Sequence, residues 1–460
     1  MHEDKNLIMA RRVAETVVQA GGKAYFVGGY VRDQLLKREN KDIDLEIHGI
    51  SPEALMAVLD CLGQRTVMGA SFGVFGLKHY DLDIAMPRSE TENSRGKQDF
   101  CAYVDPFIGT ERAALRRDLT MNALMQDVLT GEILDHFGGV EDLKQGVIRH
   151  VDDVTFAEDP LRVLRVAQFA ARFQFRVAEE TVELSRKLDL SALAKERVWG
   201  ELEKALLKSP KPSVFFQVLR QMDQLHTWFP ELEALISVEQ DAQFHPEGNV
   251  WNHTMLVLDE AAKLRPQAKE PLCFMVAALC HDFGKAVTTA AKNGRIHAIG
   301  HEVDGVPIAG QFLHRMTREG KLRHYVQNMV ENHMRPNVVA AQRSRVKSIC
   351  KMLDQSVCPE DLLLLAKADH NGRTNASAYD QTEQFLREHL ALYHDRMAQP
   401  YVMGADLIQA GFQPGKDFGE ALEFAHKLRL AGVEKESALR QTVGYLRALQ
   451  KKAAHDGNGS

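Results

Sequence analysis

The spacing of apolar residues separates an amino-terminal part with strand and helix patterns from a longer part whose pattern is helical. Residues 24–47 show a short apolar run, a glycine pair, a helical turn and a second apolar run, which predicts strand, turn, helix and strand. Residues 5–20 and 51–62 carry apolar residues at helical spacing, and from Glu141 onward the helical period dominates. We therefore expect an α+β fold, in which a small mixed or antiparallel sheet with flanking helices precedes an all-helical neck, body and tail.

The same pattern divides the 460 residues into segments. They are a helical extension at 1–23, an α+β head at 24–148, a helical neck at 149–228, a helical body at 229–375 and a helical tail at 376–460 with a disordered C-terminus from Lys451. Within the head, the pattern predicts strands at 66–77 and 80–85. Residues 87–99 contain no large apolar side chain and predict a mobile surface loop, either a connector or a segment that moves during catalysis.

The composition, with 45% hydrophobic and 26% charged residues, is that of a globular protein. The amino terminus lacks the apolar core of a signal peptide, and the longest apolar run, Pro271–Cys280, is too short to span a bilayer. The six cysteines form no Cys-x-x-Cys pair, so we expect reduced thiols in a cytoplasmic protein with no membrane partner. Because the net charge is −6, an RNA partner has to be held by a local basic surface.

The strand–turn–helix–strand segment carries the first candidate chemistry. Gly28 and Gly29 let the backbone approach a ligand, and the helix that follows favours an anion at its N-terminus, where Arg32 adds a positive charge. Asp42 and Asp44 are two residues apart in the next strand, so they project to the same side and suit Mg²⁺. A phosphate site beside paired carboxylates is what metal-assisted nucleotidyl transfer requires.

Two further polar motifs in the head have more than one interpretation. Asp81 and Asp83 repeat the Asp-x-Asp spacing, but no glycine pair precedes them, so we interpret them as a solvated strand edge. Arg116 and Arg117 precede an apolar element, where they either clamp a triphosphate or form ion pairs with Asp118 and Asp127.

A helical segment at 156–175 presents Asp159, Arg162 and Arg165 at intervals of three residues. One interpretation is a structural ion pair exposed on the surface of the helix. The alternative is base recognition, because an arginine donor beside an aspartate acceptor matches the pairing edges of cytosine and adenine and not those of guanine and uracil.

Histidines and aspartates in the second half form a candidate divalent metal site, because imidazole and carboxylate groups in this combination are typical ligands. The four residues are His253, His281, Asp282 and Asp369. His301 and His333 either extend the set to a second metal or are surface histidines.

Taken together, these motifs resemble those of a known family. GGYVRD at 28–33, DID at 42–44, RRDLTMNAL at 116–124 and EDPLRVLR at 158–165 occur in the order typical of class II CCA-adding enzymes, the tRNA nucleotidyltransferases of the polymerase-β superfamily. The histidine–aspartate set resembles the HD phosphohydrolase domain of many proteobacterial members. The resemblance extends over residues 23–411.

The resemblance implies a role for each matching residue of the head. Asp42 and Asp44 would hold two Mg²⁺ ions. The triphosphate would contact Gly28, Gly29, Arg32 and Arg117, whereas Asp159 and Arg162 would select CTP and then ATP, with Arg165 nearby. Gln168 stands where the family often has a further arginine, and the segment 87–99 matches the flexible loop but is more acidic.

The resemblance also implies partners and activities. tRNA, ATP and CTP would be substrates of the head, and the HD site would hold Mg²⁺ or a divalent transition metal and act as a phosphatase, 2′-nucleotidase or 2′,3′-cyclic phosphodiesterase. The alternatives are an enzyme that adds only CC or only A, a poly(A) polymerase, and an HD phosphohydrolase whose head only binds tRNA. The sequence is compatible with a monomer and with a homodimer.

Overall fold

The computed structural model describes residues 4–40, 42–67, 74–91 and 101–456. The chain forms two compact units, one made of Met1–Ala205 and Val214–Thr227 and the other of Leu206–Ser213 and Trp228–Ser460. Among the described residues, no helix is long and apolar enough to cross a membrane.

The chain up to residue 227 contains both strands and helices. They are α1 (Lys5–Gln19), β1 (Lys23–Val27), α2 (Gly29–Leu35), β2 (Ile43–His48), α3 (Pro52–Leu62), β3 (Arg65–Val67), β4 (Val74–Leu77), β5 (Leu82–Ala85), β6 (Arg88–Thr91), β7 (Cys101–Val104), α4 (Thr110–Leu115), β8 (Met125–Asp127), β9 (Ile133–Leu134), α5 (Gly139–Gln145), β10 (Val147–Ile148), α6 (Asp153–Ala157), α7 (Leu161–Phe173), β11 (Arg176–Val177), α8 (Glu179–Arg186), α9 (Lys195–Lys208) and α10 (Ser213–Gln221). A 3₁₀ turn at Thr120–Asn122 precedes β8.

One mixed sheet of seven strands, in the order β3-β4-β5-β2-β1-β8-β9, forms the head. Strand β1 is antiparallel to β2 and β8, whereas β2, the central strand, is parallel to β5. The alternating apolar side chains of β1 give the sheet a buried face, where Tyr25 and Val27 pack with Ala113, Ala123 and Met125. The α+β class and the strand–turn–helix–strand order predicted from the sequence are confirmed.

Local capping explains where some helices begin. The Ser51 hydroxyl accepts a hydrogen bond from the Ala54 amide at the start of α3, and Pro52 occupies the first turn. The helix predicted at 156–175 instead begins at Leu161 as α7, because the short helix α6 ends before Pro160. Asp159 therefore lies just before the helix and not on its surface.

The prediction of a loop at 87–99 is wrong at its start, because Arg88–Thr91 forms β6 and pairs with β7. Residues 92–99, the rest of that predicted loop, lie outside the described residues.

The second unit is mainly helical. Its elements are α11 (Pro230–Ala234), α12 (Val250–Leu264), α13 (Pro271–Cys280), α14 (Lys285–Thr288), β12 (Ala290–Lys292), β13 (Arg295–His297), α15 (His301–Met316), α16 (Gly320–Asn332), α17 (Arg335–Ala341), α18 (Val346–Asp354), α19 (Pro359–Asn371), α20 (Asp380–Ala398), α21 (Gly404–Gln409), α22 (Asp417–Leu430) and α23 (Lys435–Asp456). The hairpin β12–β13 was not expected in an all-helical body.

The centre of this unit is α13, whose residues from Phe274 to Cys280 are all buried. It packs against α12, α16 and α19, as its continuous apolar sequence requires. The predicted disorder from Lys451 is wrong as far as Asp456, because α23 continues to that residue; residues 457–460 lie outside the described part. Five cysteines are free thiols: Cys61, Cys273, Cys280, Cys350 and Cys358.

Candidate active sites

The carboxylates of the head lie on two neighbouring strands. Asp42 is exposed just before β2, and Asp44 is half-buried within it. The parallel register places Asp83 of β5 directly opposite Asp44. Burial raises the pKa of Asp44, and the negative charges of Asp83 and Asp42 raise it further, while Arg117 opposes the shift. Carboxylates that repel one another are stabilised by a divalent cation, so this donor set fits Mg²⁺.

Asp83 is therefore a candidate ligand that the sequence interpretation missed. The predicted position at a sheet edge is wrong, because β5 lies inside the sheet between β4 and β2, but Asp83 is exposed to solvent as expected. The repeated Asp-x-Asp spacing was the available signal, but the strand pairing was needed to use it.

Gly28 brings the turn after β1 close to these carboxylates. Its φ of +62° is one that side-chain-bearing residues rarely adopt. A Cβ atom at this position would lie 3.7 Å from Arg117 Nη1 and 3.9 Å from Asp44 Oδ2. The glycine, the arginine and the aspartate thus surround the same space. Gly29 begins α2 beside them.

Arg117 is held at the site by a buried acid. Its Nη2 donates to Glu46 Oε2 at 2.9 Å, while Glu46 Oε1 lies 2.9 Å from His48 Nε2. Burial alone would raise the pKa of Glu46, but His48 and Arg117 lower it overall. Of the two alternatives for the arginine pair, ion pairs with Asp118 and Asp127 are not formed by Arg117, which pairs with Glu46 instead.

Arg32 has a different environment from the one expected for a triphosphate ligand. Its side chain is 4% exposed, with Nε and Nη2 donating to the carboxylate of Asp33 and Nη1 donating to Asn122 Oδ1 at 2.7 Å. The guanidinium also lies over the rings of Phe169 and Phe173. These contacts support a structural role between α2 and α7.

Asp159 and Arg162 are both oriented by neighbours. Arg197 donates to both carboxylate oxygens of Asp159, at 3.1 and 2.7 Å. Arg162 donates to the carbonyl oxygens of Thr155 at 2.6 Å and Arg116 at 2.8 Å. Burial lowers the pKa of Arg162, although nearby acids, Asp118 first, oppose the shift. A guanidinium has five N–H donors, so Arg162 keeps donors for a ligand.

The next two positions on α7 lie deeper. Arg165 Nε donates to Asp118 Oδ2 at 2.7 Å. Gln168 is 2% exposed, and its Nε2 has no hydrogen-bond partner among the described residues. The structure therefore brings Arg162 to the surface of the site and places Gln168 inside the fold.

An open pocket of about 380 Å³ adjoins the carboxylate strand. Its lining includes Glu46, Arg88, Arg116, Arg117 and Arg162. The arginine guanidinium groups provide fork-shaped donors suited to phosphate oxygens.

The structure brings all the predicted metal ligands of the second unit together. His253 comes from α12, His281 and Asp282 follow α13, and Asp369 lies on α19. His301 begins α15 and His333 follows α16. All six side chains are buried, so His301 and His333 are not surface histidines.

The ligand atoms fall into two groups that meet at Asp282. His253, His281 and Asp369 form one group, and Asp282, His301 and His333 form the other. Asp282 Oδ2 lies 3.3 Å from His281 Nε2, and its Oδ1 lies 3.3 Å from His301 Nε2. Such a bridging carboxylate suits a two-cation centre.

Three of the histidines are oriented by backbone carbonyl groups. The Nδ1 atoms of His281, His301 and His333 each lie 2.6–2.8 Å from the carbonyl oxygen three residues earlier. With Nδ1 donating, Nε2 is left as the acceptor that a metal requires. His281 Nε2 and Asp369 Oδ2 are buried without a hydrogen-bond partner among the described residues, which supports a cation there.

The pKa shifts of the ligands differ in direction. Burial alone would lower the pKa of His253, but its hydrogen bonds with Asp369 and Glu247 raise it overall. Burial and the neighbouring His281 lower the pKa of His333 to about 3. Burial alone would raise the pKa of Asp282, but His281 and Lys285 hold it well below its usual range. Neutral imidazole and ionised carboxylate are the metal-binding forms.

His253 is oriented by Glu247, a residue that the sequence interpretation missed. Glu247 Oε1 lies 2.9 Å from His253 Nδ1, and His253 Nε2 lies 3.0 Å from Asp369 Oδ1. Glu247 is six positions before His253 in a segment without helical or strand periodicity, so the sequence alone carried no signal for it.

A second open pocket, of about 310 Å³, borders this centre. It is lined by His301 and Lys285 together with Phe244, Arg295 and Arg373.

Comparison with known proteins assigns family regions along the chain. Residues 24–149 match the poly A polymerase head domain, residues 174–236 match a probable RNA and SrmB-binding site of polymerase A, and residues 250–371 match the HD domain. The HD match shows use of a divalent metal in the second unit, and the head match shows it in the first.

Relatives match over most of the chain. The multifunctional CCA protein of Pasteurella multocida is 41% identical over 407 residues, which are 85% of this chain and 92% of the relative. The multifunctional CCA protein of Actinobacillus pleuropneumoniae is 37% identical over 402 residues, covering 85% and 94%.

Solved structures share the fold. The Thermotoga maritima CCA-adding enzyme complexed with tRNA has a TM-score of 0.64 at 20% identity, covering 96% of each chain. The Bacillus stearothermophilus CCA-adding enzyme in complex with CTP has a TM-score of 0.66 at 21% identity, covering 97% of this chain and all of the other.

Proposed function

The chain belongs to the multifunctional CCA protein family, and on this premise we propose that it adds CCA to the 3′ end of tRNA from CTP and ATP and hydrolyses phosphate esters at its HD centre. The observation that carries the first activity is the set of Asp44, Asp83 and Asp42 beside an arginine-lined pocket that includes Arg162. Paired carboxylates near a phosphate-binding surface are the machinery of metal-assisted nucleotidyl transfer.

In the head, Asp42 and Asp44 hold Mg²⁺, with Asp83 as a third oxygen donor. Mg²⁺ bound there supplies Lewis-acid activation of the tRNA 3′ hydroxyl and neutralises charge on the triphosphate. Arg117, oriented by Glu46, binds triphosphate oxygens close to Gly28. The backbone of Gly28 permits this approach because no Cβ fills the space.

Asp159 and Arg162 select the incoming base. Arg197 fixes the Asp159 carboxylate, whose oxygens keep further lone pairs to accept from the amino group of cytosine or adenine. Arg162, fixed by two carbonyl groups, donates to the adjacent ring nitrogen. Guanine and uracil present a donor where this pair also presents one, so they are rejected.

At the HD centre, His253, His281, Asp282 and Asp369 hold a divalent cation, and His301 and His333 with Asp282 hold a second one. Mg²⁺ or a transition metal would fit, since the donors are imidazole and carboxylate. Such cations polarise a phosphate and lower the pKa of bound water. The protein groups orient these ligands and exclude water from the buried side of the cluster. The free thiols support a cytoplasmic location.

Variants that remove one metal set test whether the two activities are independent. We expect the Asp42→Ala, Asp44→Ala double variant to lose nucleotide addition while retaining metal-dependent phosphatase activity. His281→Ala should lose the phosphatase and keep nucleotide addition. Both activities are measured on the same preparation of each variant. The activity that a variant retains shows that the unit without the substitution is folded.

Nucleotide addition that survives in the double variant would show that the carboxylates are wrongly assigned. Phosphatase activity that survives in His281→Ala would show the same for the HD centre.

A further inference from the structure

Strand β2 buries polar side chains along one of its faces. Asp44, Glu46 and His48 are two residues apart, so they project to the same side of the strand, and the last two are 6% and 7% exposed. The opposite face carries three buried apolar residues, Ile43, Leu45 and Ile47. Burying an acid and an imidazole costs free energy that apolar side chains at these positions would not cost. This polar row, which begins at a candidate metal ligand, therefore indicates a role beyond packing.

Both oxygens of the Glu46 carboxylate have partners. Oε2 accepts from Arg117 Nη2 at 2.9 Å, and Oε1 lies 2.9 Å from His48 Nε2. Because an ionised carboxylate only accepts, His48 donates from Nε2. Glu46 lines the arginine-rich pocket of the head, where a carboxylate free to turn toward a triphosphate would repel it. The hydrogen bond from His48 keeps the carboxylate on Arg117 instead.

The ring of His48 is itself held by the neighbouring strand. Tyr25 of β1 lies opposite Glu46 in the strand register, and its ring meets the His48 ring in a T-shaped contact with centroids 5.4 Å apart. Tyr25 also packs in an apolar cluster with Ala113 of α4, the helix that ends two residues before Arg117. His48 thus connects Glu46 to the core of the first unit.

The other side of the Arg117 guanidinium faces the proposed nucleotide site. Its Nη1 lies 3.7 Å from the position that a Cβ atom would occupy at Gly28, and Asp44 Oδ2 lies 3.9 Å from the same position. With Nη2 held by Glu46, Nη1 is directed at the space beside the glycine turn and the metal ligand. The orientation of this donor therefore depends on how firmly Glu46 is held.

We propose that His48 is a positioning residue for nucleotide addition, acting through Glu46 to hold the Arg117 guanidinium in the orientation that binds the triphosphate. Along the strand, Asp44 then serves the metal, Glu46 serves the arginine and His48 supports Glu46. Loss of His48 removes no ligand of the nucleotide or the metal, and weakens triphosphate binding only through Arg117. The inference rests on the proposed nucleotidyl transfer and on Arg117 as a triphosphate ligand.

The first test removes the donor of His48 while keeping a side chain of similar volume. We expect His48→Leu to raise KM for CTP and for ATP about 10-fold and to leave kcat within about twofold, because a loosened guanidinium weakens ground-state and transition-state binding alike. His48→Gln, whose amide can donate to Glu46, should restore most of the affinity. His48→Asn, which is one methylene shorter, should behave like His48→Leu. Ile47→Val, on the opposite face of β2, is the matched control and should leave both KM values unchanged.

Inorganic triphosphate isolates the proposed contact from base recognition, because it carries no base. Its inhibition constant against CTP, measured at fixed free Mg²⁺, should rise in His48→Leu by the same factor as KM. The double variant Glu46→Ala, His48→Leu should bind inorganic triphosphate no more weakly than Glu46→Ala alone, because His48 acts through Glu46.

Unchanged KM values in His48→Leu and His48→Asn proteins that unfold in urea like the wild type would overturn the inference. Equal losses in His48→Leu and His48→Gln would overturn it too, because they would indicate packing alone. Additive losses in the double variant would show that His48 does not act through Glu46. All three outcomes leave nucleotide addition by the wild type intact, whereas a wild-type chain that adds no nucleotide would show that the proposed function itself is wrong.

Discussion

The buried histidines of the HD centre obtain their orientation in two ways. His281, His301 and His333 use carbonyl groups of their own chain three residues earlier, whereas His253 uses the carboxylate of Glu247. Burial alone would raise the pKa of Glu247, but hydrogen bonds with His253 and His245 lower it to about 2. An ionised partner increases the electron density on the imidazole, so His253 is expected to be the strongest histidine ligand.

Replacing Glu247 should therefore weaken metal binding without removing a ligand. We expect Glu247→Ala to reduce the affinity of the HD centre for its divalent cation by about 10- to 100-fold. Glu247→Gln keeps an oxygen acceptor for His253 Nδ1 and should lose less. Calorimetric titration of metal-free protein measures the affinity, and Glu260→Ala, a change elsewhere on α12, is the control. An unchanged affinity in Glu247→Ala would show that Glu247 only supports the loop.

At the scale of elements, a buried polar network joins α2 to α7 through the turn before β8. Arg32 of α2 binds Asn122, Asn122 donates to Asp118 Oδ1 at 3.0 Å, and Asp118 accepts from Arg165 of α7. This network fixes α7, which carries Arg162 and Arg165, against α2 and the turn before β8. In the proposed function, Arg32 would act through these protein contacts and not on the triphosphate.

Removing the acid at the centre of this network should destabilise the first unit. Asp118→Ala leaves Arg165 and Asn122 without their partner, so we expect a loss of about 3 kcal/mol in the free energy of unfolding. Asp118→Asn should lose less, because it keeps one acceptor oxygen. Asp60→Ala, at an exposed side chain, should change stability by less than about 0.5 kcal/mol. Urea unfolding measures all three, and equal effects of Asp118→Ala and Asp60→Ala would contradict the role of the network.

The network also predicts a pH dependence. Burial alone would raise the pKa of Asp118, but Arg165 and Asn122 lower it overall. A carboxyl whose folded pKa is lowered stabilises the fold above its unfolded pKa of about 3.9, and that stability is lost as the pH falls through the folded value. The stability difference between wild type and Asp118→Asn should be constant near neutral pH and shrink below about pH 4. A stability difference between the two proteins that grows as the pH falls would contradict this prediction.

Local patterns in the sequence predicted much at this scale, but not strand pairing or long-range contacts. The run from Ala24 to Ile47 predicted β1, α2 and β2, because periodicity and glycine placement are local. The parallel pairing of β2 with β5 depends on residues almost forty positions apart, so the sequence did not predict that Asp83 lies opposite Asp44. The partners of Arg32 and Arg117 likewise come from distant segments, and only the folded chain identifies them.

At the scale of the whole chain, two metal-ligand sets lie in two compact units. Both sets were predictable because they contain local motifs of typical ligand residues, Asp42-x-Asp44 in the head and His281-Asp282 in the second half, and the order of the motifs indicated the family. The buried positions of His301 and His333 were left open by the sequence, because a lone histidine has no periodicity that distinguishes a ligand from a surface residue. In the folded chain, His301 and His333 lie beside Asp282 and form the second group of candidate metal ligands.

The measurement that tests the central claim most directly is an extension assay on tRNA that lacks its 3′ end. Purified protein receives Mg²⁺ with CTP and ATP, separately and together, and products are read at single-nucleotide resolution. The account predicts addition of two C residues from CTP alone, and of C, C and A followed by arrest when both nucleotides are present. Arrest after CC, addition of A only to an existing CC end, a long A tail or no addition would each contradict it.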